Sequence, residues 1–274
     1  MQIYILVLQS LFFYFILSCF NKIKMSHIIS VGGLCNAMIK NIAGSILAKR
    51  KNLNMTYSSY DYYKEIINDL GIELYSGKNE YDSFLYISNS NYIELLEGYS
   101  CSNLWAMEDE YFQTKEITNI IYNHLNESEN KQRIFDHNKF NYRYNNNNDC
   151  FIHIRLRDVE KSNPGFEYYD KAISLVGSID NIYVGTDDTS HEIIKKLQEK
   201  YSNVNVLSYN ELDTIQFGST TKNIILSHGS FSAMIGYLSF YSIVHYPAYN
   251  LAKQGWFGDI NSIPGWIEVG GCGL

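Results

Sequence analysis

Between residues 150 and 245, short strand-type runs alternate with helical stretches, and this alternation restricts the fold more than any other feature. Cys150 to Arg155, Asn181 to Val184, Asn203 to Leu207, Asn223 to Leu226 and Ser242 to His245 are the strand-type runs. Phe166 to Val176, His191 to Tyr201 and Phe231 to Phe240 read as helices, and the His191 stretch is clearly amphipathic. Strands separated by helices predict a parallel sheet covered on both faces, because each parallel pair needs a crossover.

The body of the chain opens the same way. His27 to Val31 is a short apolar run, Gly32-Gly33 follows, and a helical pattern runs from about Asn36 to Lys51. Met38, Ile39, Ile42, Ala43, Ile46 and Leu47 recur there at three and four. Strand, glycine turn and helix begin a Rossmann-like unit. Tyr62 to Leu70 reads as a further helix and Ile72 to Tyr75 as a strand. Residues 126–149 are polar, end in NYRYNNNND and show little periodicity, so they read as a linker or surface excursion. The expected organisation is a leader at 1–24, an N-terminal Rossmann-like domain at 25–125, the polar segment at 126–149 and a C-terminal domain at 150–274.

The leader carries an uncharged stretch from Ile3 to Phe20, IYILVLQSLFFYFILSCF, about long enough to span a bilayer as a helix. Met1-Gln2 supplies no basic region of the signal-peptide kind. Lys22 and Lys24 follow it and favour a cytosolic body. The expectations are membrane association through residues 3–20, a secretory or Golgi-like location, or a soluble cytoplasmic protein if translation starts at Met25. The formal net charge of −7 argues against broad nucleic-acid binding, which needs a basic field. It leaves room for one small anion held by a few cations and helix N-termini. Five scattered cysteines without a C-x-x-C pair support neither a zinc knuckle nor a disulfide framework.

In open α/β sheets, ligands bind beyond the carboxyl ends of the strands, and four polar clusters stand there. Gly32-Gly33-Leu34-Cys35-Asn36 lets the backbone turn tightly and offers helix N–H groups to an anion, or simply packs a turn. In Cys150 to Asp158 an apolar strand runs into His153, Arg155, Arg157 and Asp158. His153 and Arg155 share a strand face, and the planar fork of Arg155 suits a phosphate. Arg157 and Asp158 fit a surface pair. In Ile182 to Asp188 a strand ends in Gly185, Thr186, Asp187 and Asp188; a carboxylate here suits the two-donor edge of guanine or caps the next helix. In Leu226 to Ser232, Ser230 and Ser232 with helix N–H groups suit a phosphate, or Ser230 caps the helix. His228 reads as a structural or site-lining residue.

In order, these clusters resemble the α1,2-, α1,6- and protein O-fucosyltransferase superfamily, the α1,2 branch in particular. HIRLRD resembles its H-x-R-x-x-D motif, IYVGTDD its hydrophobic strand ending in Ala/Gly-Thr-Asp, and GSFSAMIG its Ser/Thr-rich third motif. GGLCNAMIKNIAGSILA is similar to the glycine-rich opening of the α1,2 branch. The resemblance covers residues 27 to about 250. Leu156 stands where many members have a second Arg, Arg157 where a small residue precedes the motif Asp, Cys35 for the usual Gly and Ala37 for the usual Gln.

The resemblance implies an α/β fold of GT-B-like type, with two Rossmann-like domains and their parallel sheets facing a cleft. It implies GDP-fucose as donor, a glycan as acceptor, inversion at the anomeric carbon, and neither metal nor cofactor. It assigns guanine contacts to His153 and Asp187, the diphosphate to Arg155, further phosphate contacts to Ser230 and Ser232, and the sugar-phosphate end to Asn36 beside Gly33. Asp158, Glu160 and Glu167 are the acidic candidates for a base, Asp158 being equally open to a structural role. Two other readings fit the same residues: a same-fold transferase using another nucleotide sugar, and a nucleotide-sugar- or glycan-binding protein without catalysis.

Overall fold

β5, Cys150–Ile154, is buried along its whole length, which makes it the centre of the larger of two sheets. The computed structural model describes residues 25–30, 32–98, 101–249 and 258–270, without the side chains of 158 and 159. The larger sheet runs β10-β9-β8-β5-β6-β7, with β6 at Ile182–Thr186, β7 at Val204–Val206, β8 at Asn223–Ile225, β9 at Ile243–Pro247 and β10 at Ile267–Val269. Every pairing in it is parallel. This is the doubly wound order, and its direction of winding reverses between β5 and β8.

The smaller sheet runs β2-β1-β4-β3, all parallel. Its strands are β1 at Ser26–Ile29, β2 at Met55–Ser58, β3 at Phe84–Ile87 and β4 at Asn103–Ala106. Here the winding reverses between β1 and β4. The helices are α1 at Leu34–Lys51, α2 at Asp61–Asp69, α3 at Tyr92–Glu97, α4 at Lys115–Leu125, α5 at Ser128–His137, α6 at Phe166–Val176, α7 at Glu192–Lys200, α8 at Glu211–Gly218 and α9 at Ser230–Tyr237. Two Rossmann-like parallel sheets across a cleft make the architecture GT-B-like.

α1 buries residues on nearly every side, because it covers the small sheet with one face and packs on α9 of the other half with another. One apolar core therefore runs through both halves, from Ile28, Ile39 and Leu47 to Ile215, Met234 and Tyr237. A second core under α6 and α7 belongs to the larger sheet alone. The shared core disfavours wide hinge motion between the halves.

Two expectations are revised. Ile72 to Tyr75 forms no strand; the segment is extended chain tied to α1 and the loop after it, with Tyr75 N–H donating to Ser45 Oγ at 2.7 Å and Gly77 N–H to Leu53 O at 2.6 Å. The small sheet takes Met55–Ser58 as its second strand instead. Residues 126–149, expected to be a linker or surface excursion, contain α5 and a 3-10 turn at Asn141–Arg143. α5 buries only Asn130 and Ile134, too few positions to leave a helical period in the sequence. Asn138 fixes its end by donating to Gln216 O at 2.9 Å.

Among the described residues no helix is long and apolar enough to cross a membrane. The stretch from Ile3 to Phe20, with the anchor reading, lies outside them. Cys35 and Cys150 are buried free thiols.

Candidate active site

The carboxyl ends of β1, β5, β6 and β8 point toward one cleft of about 550 Å³ between the halves. Gly33, Asn36, His153, Arg155, Asp187 and Ser230 all line it, together with Ser227, His228 and Gly229. Both winding reversals open onto it, which is where doubly wound sheets hold ligands. The cleft thus gathers six of the seven donor-side residues expected from the sequence.

Ser232 is the seventh, and it does not line the cleft. Its side chain is fully buried. Its Oγ lies 3.0 Å from His153 Nδ1 and accepts the Ser227 N–H at 2.8 Å. The α9 turn winds residue 232 inward, so direct phosphate contact through this hydroxyl is replaced by support of the floor. His153 also stacks on Phe231, with ring centroids 5.0 Å apart at 29°. Burial, and then the charge of Arg155, push the imidazole pKa down to about 3. The ring is therefore neutral at physiological pH.

Arg155 Nη1 lies 3.0 Å from Asp187 Oδ2. Oδ2 meets no aligned N–H, so this is a contact of charges rather than a directed hydrogen bond. Asp187 Oδ1 accepts the Leu156 N–H at 2.8 Å. Asp187 thus belongs to the turn after β5 and does not cap α7; His191 does that, its Nδ1 accepting from Ile193 N–H at 3.2 Å. Leu156, at the position of the second family Arg, packs inward in the core under α6. Asn163 steadies the same turn by donating to Arg155 O at 2.8 Å.

α1 and α9 begin at Gly33 and Gly229, and neither has a side-chain cap or an acidic residue in its first turn. Ser230 is accordingly not a cap. Gly229 has φ +103°, a backbone that side chains rarely adopt. Every other described α-helix has an acidic residue in its first turn. The two helix starts without one both face the cleft, where their N–H groups and dipoles favour an anion.

Several further residues line or support the cleft outside the four polar clusters. Gln113, in the loop after β4, donates from Nε2 to Asn36 Oδ1 at 2.9 Å and so orients the loop asparagine. Tyr62 and Tyr63 of α2 form the opposite wall, and Tyr209, Asn210, Glu211 and Thr214 extend the cleft beyond β7. Asn210, with the acids of ELD after it, was a readable N-cap signal, and its Oδ1 does accept Asp213 N–H at 2.8 Å. Gln113 left no local signal. Glu160 and Glu167 do not line the cleft; Glu160 instead meets His191 Nε2 at 3.1 Å. The Asp158 side chain lies outside the described residues.

No protein-family model matches the chain, and no curated protein does. Among solved structures, the E. coli heptosyltransferase WaaC with ADP-2-deoxy-2-fluoro heptose is similar at a TM-score of 0.49 and 12% identity, covering 91% of this chain and 94% of that one. The fucosyltransferase NodZ from Bradyrhizobium is similar at a TM-score of 0.47 and 10% identity, covering 81% and 94%.

Proposed function

We propose that the chain is a metal-independent, inverting glycosyltransferase that takes fucose from GDP-fucose and passes it to a glycan. The observation that carries this reading is the pairing of two acid-free helix starts, α1 and α9, with Arg155 around one cleft. Such a cleft suits a diphosphate. When the sugar leaves, negative charge grows on the departing diphosphate, and fixed N–H dipoles, the Ser230 hydroxyl and a guanidinium stabilise it without reorganising. Asn36, held by Gln113, stands on the far wall where the sugar would lie. The motif resemblance supports fucose and guanine as the particular donor.

The test is calorimetry of the full-length protein with GDP, UDP and ADP, followed by a product assay with GDP-fucose. Binding of GDP ahead of the others, with turnover, is the expected result. Binding without turnover on any acceptor would point to a non-catalytic nucleotide-sugar protein, and a preference for UDP or ADP would point to another donor.

A further inference from the structure

The cleft contains two carboxylates, Asp187 and Glu211, and they are in different states. Asp187 is committed: one oxygen accepts the Leu156 N–H and the other faces Arg155 Nη1. Turning this carboxylate toward a base would break the turn that holds the arginine. Glu211 opens α8 just beyond β7 in the chain, is exposed, and among the described residues its Oε2 accepts one hydroxyl from across the cleft, Tyr62 Oη at 3.0 Å. A carboxylate offers about four lone-pair sites, so that contact leaves room for more donors.

The sheet order fixes what Glu211 can reach. Arg155 follows β5 and Ser230 follows β8, so the diphosphate lies over the β5–β8 reversal. α8 crosses from the β7 side toward β5, since Thr214 Cγ2 stands 3.2 Å from a Cβ at Gly185 on β6 and a Cβ at Gly218 would meet the Phe151 ring of β5, so Glu211, one turn before Thr214, lies on the side of the cleft away from β8, where the base would lie. The described lining extends to this side, through Thr186, Tyr209, Asn210 and Thr214.

We infer that Glu211, not Asp187, is the carboxylate that reads the nucleobase, taking the N1–H and exocyclic amine of guanine on its two oxygens. Asp187 is then a positioning residue for Arg155. This inference rests on the nucleoside diphosphate reading above.

Calorimetry of the full-length protein with GDP, IDP and ADP, in wild type, Glu211→Gln and Asp187→Asn, tests it. IDP lacks the exocyclic amine, and ADP presents neither donor of the guanine edge. Wild type should favour GDP over IDP by at least about fivefold, the lower end of what one two-point base contact discriminates. Glu211→Gln should weaken GDP at least fivefold and leave ADP unchanged. Asp187→Asn should weaken all three together while keeping their ranking. An unchanged GDP-over-IDP preference in Glu211→Gln overturns the inference. So does unchanged GDP affinity with lost turnover, which would make Glu211 a base. A wild-type protein that binds none of the three would instead remove the nucleotide reading itself.

Discussion

The Ser232 hydroxyl lies 3.0 Å from His153 Nδ1 and accepts the Ser227 N–H at 2.8 Å. One buried oxygen thereby joins the end of β5 to the turn that starts α9. The two segments are 79 residues apart in sequence, and between them they carry Arg155 and Ser230, which line the cleft.

Ser232→Ala should therefore act on stability and binding together. It leaves the Ser227 N–H buried without its acceptor, which costs about 1–3 kcal/mol. Chemical denaturation should show a loss of that size, and GDP binding should weaken because the α9 start is no longer held. A variant as stable as wild type would mean that the hydroxyl does not bridge the two segments.

Arg155→Ala should reduce transfer by about a hundredfold or more, since removal of one preorganised charge-stabilising donor has that effect. The fold should persist, because the side chain is partly exposed. Arg155→Lys keeps a charge but not the planar fork, and should recover only part of the rate. Single-turnover kinetics with GDP-fucose measure both. Full activity in the alanine variant is incompatible with the proposed mechanism.

Strand ends were legible in the sequence because each one switches abruptly from an apolar run to polar residues, as Phe151-Ile152 does into His153 and Arg155. Periodicity likewise located α6, whose span Phe166–Val176 was read directly. What stayed hidden depended on partners distant in the chain. Ser232 and Ser230 look alike in GSFS, and only the turn of α9 sends one inward and the other to the cleft. Gln113 matters because β4 lies beside β1, an adjacency that no local pattern encodes. Short strands such as Phe84–Ile87, largely exposed, lacked the buried face that produces a period of two.

The neutral state of His153 gives a pH dependence of definite sign. Its folded pKa is about 3 against an ordinary 6.5, so between those values the unfolded chain binds a proton that the folded chain excludes. Stability from this group is complete above pH 6.5 and is lost as pH falls through the window, by up to about 1.4 kcal/mol per pH unit. Burial lowers the pKa of His124 and His245 as well, so the contribution of His153 must be taken by difference. Denaturation of wild type and His153→Asn at pH 7 and pH 4.5 should show wild type losing more on acidification. Parallel losses would place the proton elsewhere.

Gly185 precedes the Thr-Asp of the second motif, a position where the resembled family also admits Ala. In this chain a Cβ there would stand 2.7 Å from Phe151 Cζ and 3.2 Å from Thr214 Cγ2. The Phe151 ring is fully buried in β5 and is also pressed from Gly218, where a Cβ would again meet it at 2.7 Å. The ring therefore fills the space that a side chain at 185 would need. Gly185→Ala should destabilise by about 1–3 kcal/mol through overpacking. Phe151→Leu alone should destabilise by leaving a cavity. The double variant should be more stable than the sum of the two losses by at least about 0.5 kcal/mol, because the smaller side chain accommodates the new methyl. Strict additivity in urea denaturation would show that the ring is not what requires glycine at 185.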